Sequence, residues 1–227
     1  MSGAATPLRA AVFASGGGTN LQALLAHQKN DPPWRIVLLL TDRASAGALD
    51  RARSAQVATA VVPTKDRPAT EVAGAILDTL EEHAVDVVFL AGYLKLIPGE
   101  VVARYRRRIL NIHPALLPSF GGKGMYGMNV HRAVIEAGVR VTGATVHMVD
   151  EEYDRGMILA QWPVPVKPGD SPEEVAARVL AVEHSLYCRT ADHVCRAHLA
   201  GAEPTPVPLD GDAFLLDPPD IDKPTQT

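Results

Sequence analysis

The stretch "RAAVFASGGGTNLQALLAHQ", residues 9–28, decides how the rest of the chain is read. Its first seven residues form a short apolar run of the kind a buried strand shows. Three consecutive glycines follow, and "NLQALLAHQ" then repeats its leucines at helical spacing. A strand, a glycine turn and a helix in immediate succession are the opening unit of a layered α/β domain. The turn also exposes backbone N–H groups at a helix N-terminus, a ready site for phosphate. A dinucleotide site would want G-x-G-x-x-G: Gly16 and Gly18 fit, but Leu21 stands where the third glycine belongs. Asp42, at the end of the next strand-like run, keeps that alternative open. The P-loop pattern is absent. A ligand-free turn is the plain alternative, set against the backbone entropy that three glycines lose on folding.

Outward from this unit the pattern repeats. "RIVLLLT" (35–41), "ATAVVP" (58–63), "VDVVFLA" (85–91) and "RRILNI" (107–112) are further strand candidates, and "GALDRARSAQ" and "ATEVAGAILDTLEEHA" carry helical spacing between them. Five strands with intervening helices predict a Rossmann-like, doubly wound α/β fold with a mostly parallel sheet. "VTGATVHMVD" and "MILAQWPVPV" lie close together in sequence and suit an antiparallel addition near the C-terminal end. A long helix over roughly 171–199 is announced by Ser171-Pro172-Glu173-Glu174, a helix start signal. The domain is expected over 8–200, after a flexible N-terminus (1–7) and before a Pro/Asp-rich tail (201–227) with at most a short hairpin around "AFLLD". There is no internal repeat and no domain linker.

Composition narrows the function. Of 227 residues, 47% are hydrophobic and 21% charged, ordinary for a soluble protein with a substantial core. A net charge of -4 and the absence of a dense Lys/Arg stripe argue against nucleic acid as partner. The one basic cluster, Arg104 with Arg106, Arg107 and Arg108, fits a helix C-terminus or a solvated face. No apolar run approaches membrane-spanning length, and "MSGAATPLRA" has no signal-peptide pattern, so a cytoplasmic protein is expected. The two cysteines, Cys188 and Cys195, imply no disulfide framework. With His184 and Asp192 they tempt a zinc reading. Residues spread over three turns of one helix cannot converge on one ion, so no metal is expected.

"ILNIHPALLPS", residues 109–119, carries the chemistry. Side chains alternate along a strand, so Asn111 and His113 share a face where the chain leaves the sheet, the end at which open α/β sheets bind ligands. Farther on, "VDEEYDRGMIL" offers a cluster of acids. Glu151 and Glu152 suit a solvated turn, whereas Asp154 heads an Asp-Arg-Gly turn that can aim one carboxylate inward. Such a carboxylate near His113 would raise the imidazole's pKa. A cation beside an amide donor is what a developing oxyanion needs, which points to acyl-type transfer on a phosphate-bearing substrate. The other histidines have plainer readings, His27 and His83 at helix ends and His131, His193 and His198 on helices.

"FASGGGTNLQALL", "VVFLAGYLKLIP", "LNIHPALLPSFGGKGMYG", "VTGATVHMVDEEYDRGMIL" and "VEHSLY" together resemble the phosphoribosylglycinamide formyltransferases, in order, from about residue 8 to about 200. The N-I-H-P-x-L-L-P element alone is shared with other folate-dependent formyl carriers. The resemblance implies a cytoplasmic enzyme of purine biosynthesis that uses 10-formyltetrahydrofolate as co-substrate and small molecules as its only required partners. A homodimer is left open. It assigns catalysis to Asn111, His113 and Asp154. It assigns the ribonucleotide phosphate to Gly18, Thr19 and Asn20, and its ribose to Glu183. Folate falls to Arg67, Leu94, Lys95, Leu96, Ile97, Asn111 and Val149. Lys95 stands where some relatives have arginine, which removes the option of a bidentate contact. The rival readings are a nicotinamide-dependent oxidoreductase and a non-catalytic folate- or phosphometabolite-binding module.

Overall fold

The computed structural model describes residues 6–208; the expected hairpin around "AFLLD" lies outside them. Five parallel strands run in the order the apolar runs predict: β1 (Leu8–Phe13), β2 (Trp34–Thr41), β3 (Ala58–Val61), β4 (Val87–Leu90) and β5 (Ile109–His113). Two antiparallel strands follow, β6 (Val141–Met148) and β7 (Ile158–Pro165). The seven-stranded sheet has the order β3-β2-β1-β4-β5-β6-β7. The chain therefore winds outward from β1 to β3 and then returns to β4 on the other side of β1. A crevice opens at that reversal, beyond the strands' C-terminal ends.

Strand alternation assigns each face its own core. Ala10, Val12 and Ala14 pack with Leu21, Leu24 and Leu25 of α1 (Thr19–His27) and with Leu186 and Tyr187 of α6 (Pro172–Leu199). Ala11 and Phe13 face the other way, onto Val72, Ile76 and Leu80 of α3 (Ala69–Glu82) and Val101 and Val102 of α4 (Gly99–Arg104). Ala48, Leu49 and Ala52 of α2 (Ala48–Ser54) join the first face, as does Val134 of α5 (Met128–Glu136). β4 is buried at every position, which explains why it reads as an unbroken apolar run.

Local signals hold at the element ends. Ser171 and Glu174 form a reciprocal capping box at the start of α6, with Pro172 in its first turn. Arg104, first of the basic cluster, is the last residue of α4. Two helices exceed what periodicity alone predicts: α4, only six residues long, and α5, which begins directly after the glycine-rich stretch 121–127. Cys188 and Cys195 are free and buried, while Asp192 accepts hydrogen bonds from Trp34 Nε1 and His27 Nε2. Among the described residues no helix is long and apolar enough to cross a membrane.

Candidate active site

A cavity of about 640 Å³ fills the crevice. Its wall takes in the glycine turn (16–20), the end of β4 and the segment after it (Leu90–Ile97), the end of β5 (Asn111–Pro114), the loop 122–128, Val149 and Glu152–Asp154 of the β6–β7 connection, and Glu183 of α6. Every residue assigned from sequence lines it except Arg67. That guanidinium is bound to Glu71 Oε1 at 2.8–3.0 Å and to the Pro63 carbonyl, away from the cavity wall.

At one end, Gly18 adopts φ 75°, a left-handed conformation natural to glycine, and caps α1. A Cβ there would also lie 2.8 Å from Ala48 Cβ, so the turn and α2 are in direct contact. Asn20, in the first turn of α1, donates from Nδ2 to Glu183 Oε2 at 2.7 Å, tying the glycine turn to α6. Burial, only partly offset by this bond, pushes the Glu183 carboxyl up to about 7.

Asn111 and His113 do share a face at the end of β5, and Asp154 reaches them from the β6–β7 connection. Asp154 Oδ2 is 3.6 Å from His113 Nδ1, and Asp154 Oδ1 is 3.5 Å from Asn111 Nδ2. The loop that delivers Asp154 crosses its own strand so closely that a Cβ on Gly156 would sit 1.9 Å from the Met148 carbonyl oxygen. The Gly122 N–H donates to Asp154 Oδ2 at 2.8 Å, and His113 Nε2 bonds the Phe120 carbonyl at 2.9 Å. One short backbone segment thus orients both side chains. A carbonyl only accepts, so Nε2 carries the hydrogen and Nδ1 is the nitrogen that gains or loses a proton.

The expected upward shift of His113 is reversed. The side chain is 4% exposed, and burial holds the imidazole below its usual value despite opposing contributions from Asp154 and the Phe120 carbonyl. Strand spacing places the carboxylate nearby but gives no measure of how much water the fold removes, and desolvation wins. For Asp154 burial is again the largest influence and pushes upward. The adjacent His147, 3.5 Å away, the His113 charge and the Gly122 N–H together bring it below the ordinary range. The site therefore pairs a carboxylate with a mostly neutral imidazole at pH 7.

Two histidines of the site escaped sequence reasoning. His147 faces Asn111 across the antiparallel β5–β6 register. Its Nδ1–H donates to the Met148 carbonyl at 2.8 Å, leaving Nε2 to accept from Asn111 Nδ2 at 3.0 Å. One amide hydrogen of Asn111 is thereby fixed. The other, 3.5 Å from Asp154, is too far for a good hydrogen bond and remains for a ligand. His131 on α5 lines the cavity, and burial, then the neighbouring His113, lowers it to about 4. Neither carries a local sequence signal, because each joins the site only through elements far apart in the chain.

Comparison with known proteins agrees with this geometry. The family model for formyl transferases matches residues 8–191. The chain is 46% identical over 191 residues to the chloroplastic phosphoribosylglycinamide formyltransferase of Vigna unguiculata, covering 83% of this chain but 61% of that relative's length. It is 42% identical over 179 residues to the phosphoribosylglycinamide formyltransferase of Haemophilus influenzae, covering 78% and 82%. The crystal structure of glycinamide ribonucleotide transformylase 1 from Symbiobacterium toebii superposes with a TM-score of 0.79 at 38% identity, covering 84% of this chain and 89% of that one. With the glycine turn, the Asn111–His113–Asp154 cluster and a family match over most of its length, the chain belongs to the formyl transferase family.

Proposed function

We propose that the protein transfers the formyl group of 10-formyltetrahydrofolate to the amine of 5-phosphoribosylglycinamide, giving the N-formyl product and tetrahydrofolate in purine biosynthesis. The observation that carries this reading is the convergence of Asn111, His113 and Asp154 within 3.6 Å contacts in the lining of one cavity that the glycine turn also lines. The ribonucleotide phosphate sits on the amides of Gly18, Thr19 and Asn20, and Glu183 accepts from its ribose. Folate occupies the side lined by Leu94, Lys95, Leu96, Ile97 and Val149; Arg67 meets only its outer end, if it swings away from Glu71. The buried free thiols suit a reducing compartment, and the reading includes a cytoplasmic location.

Holding amine and formyl donor together removes much of the entropic barrier, a contribution that can reach roughly 7–11 kcal/mol. The amine nitrogen attacks the formyl carbon, and the free amide hydrogen of Asn111 meets the oxygen as it becomes anionic. Bond formation makes the attacking nitrogen acidic. His113 Nδ1, neutral beforehand and facing Asp154, takes that proton, and the imidazolium so formed lies between oxyanion and carboxylate. Asp154 therefore stabilises the cation once it exists, where a permanently protonated His113 was expected. As the tetrahedral centre collapses, the bond from carbon to the folate nitrogen breaks and the proton passes to that nitrogen. No net proton or electron is left over.

The test is direct. The protein is incubated with both substrates and the folate absorbance is followed. Formation of tetrahydrofolate that depends on the ribonucleotide amine is expected. Ligand binding without turnover would leave only a binding module, and a change that requires a nicotinamide cofactor would favour the oxidoreductase.

A further inference from the structure

The glycine turn is held from behind by α2. The Gly16 carbonyl accepts from the Ala48 N–H at 3.1 Å, and the Gly17 carbonyl accepts from Arg51 Nε at 2.7 Å. Arg51 Nη1 also donates to Gln22 Oε1 on α1 at 3.2 Å, so one guanidinium spans the turn and the helix it opens. Arg51 makes no ion pair among the described residues, although Arg53, two positions on, pairs with Asp50. It does not line the cavity. The sequence thus places an unneutralised cation directly behind the turn, attached to a carbonyl that faces away from the ligand side.

A turn that binds an anion must present its N–H groups and turn its carbonyls outward, because a carbonyl oxygen aimed at a phosphate repels it. Three glycines leave that choice open, since each can adopt either hand of backbone conformation. The charge-assisted bond from Arg51 to Gly17 selects one arrangement, and such bonds are roughly twice as strong as neutral ones. The positive charge behind the turn adds to the attraction from the helix N-terminus.

We propose that Arg51 is a positioning residue for the ribonucleotide phosphate: it locks the Gly17 carbonyl away from the anion, and through the turn it sets the preference for a phosphorylated over an unphosphorylated glycinamide substrate. This rests on the phosphate reading of the turn. Lysine offers no planar fork to bond the carbonyl and Gln22 together, so only arginine can brace both at once.

The test compares wild type, Arg51→Met and Arg51→Lys with three probes: the ribonucleotide, the same glycinamide riboside without phosphate, and inorganic phosphate as competitor. For Arg51→Met a 10- to 100-fold rise in KM for the ribonucleotide is expected, with a similar weakening of phosphate competition. KM for the folate should stay within twofold, and kcat should fall far less than kcat/KM. Kinetics with the riboside should match wild type, because the effect needs the phosphate. Arg51→Lys should fall between the two and serves if the methionine variant does not fold. Equal losses on ribonucleotide and riboside would reduce Arg51 to a structural brace, and no loss on either would also overturn the proposal. A wild-type protein that used riboside as well as ribonucleotide would instead remove the phosphate reading itself.

Discussion

Replacing Asp154 by asparagine removes one charge and keeps the shape. The carboxylate lies 3.6 Å from His113 Nδ1. At that separation the attraction to a full imidazolium is about 4–5 kcal/mol for an effective dielectric of about 20. The side chain is 11% exposed, and the amide oxygen of asparagine can still accept the Gly122 N–H, so the net loss in the transition state should be smaller, about 2–4 kcal/mol. That corresponds to a fall in kcat of roughly 30- to 1000-fold. The pH dependence gives the sharper test. Burial already holds His113 below its usual pKa, with Asp154 pulling the other way. Without that pull the value drops further. If neutral His113 must receive the amine proton, kcat/KM has an acidic limb to which His113 contributes, and that contribution moves to lower pH in the variant while the plateau falls. Initial rates from folate absorbance over about pH 5.5–9, with a riboside-independent measure of folding such as near-ultraviolet circular dichroism, supply the data. A folded Asp154→Asn protein with a wild-type plateau and an unmoved profile would refute the pairing, and a moved basic limb would show that His113 must start protonated.

Three further outcomes follow from the same geometry. Asn111→Ala should lower kcat by about 100- to 1000-fold with little change in either KM, because its free amide hydrogen meets an oxygen that is anionic only during reaction; steady-state kinetics in both substrates check this. Glu183, pushed up to about 7 from the ordinary glutamate value of 4.5, is protonated in the folded protein at pH values where the unfolded chain has lost the proton. Its burial therefore costs increasing stability as pH rises from about 4.5 to 7, approaching roughly 3 kcal/mol above that window. Glu183→Gln should accordingly gain stability relative to wild type at pH 8 compared with pH 5 in urea titrations, and should flatten the fall in ribonucleotide KM expected as wild-type Glu183 ionises. Gly156→Ala forces a methyl group to 1.9 Å from the Met148 carbonyl, so it should destabilise by more than about 2 kcal/mol or displace Asp154 and reduce kcat; wild-type stability and activity together would show that the loop yields freely.

The amino-acid sequence by itself determined the layered architecture. Burial on both faces makes parallel strands continuous apolar runs, and the glycine turn after the first of them marks where strand becomes helix. It also determined that Asn111 and His113 share a face, because strand alternation is local, and that α6 starts directly after its cap Ser171, because the capping box spans four residues. It did not determine α4 or the start of α5, which are short and held by packing on Val101, Val102, Val130 and Val134 more than by propensity. His147 became part of the site only through the β5–β6 register, a pairing across 36 residues with no local trace. The sign of the His113 shift likewise belongs to the tertiary structure. A neighbouring carboxylate can be foreseen from a motif, but the loss of water around a side chain depends on every element packed over it, and here that loss outweighs the charge.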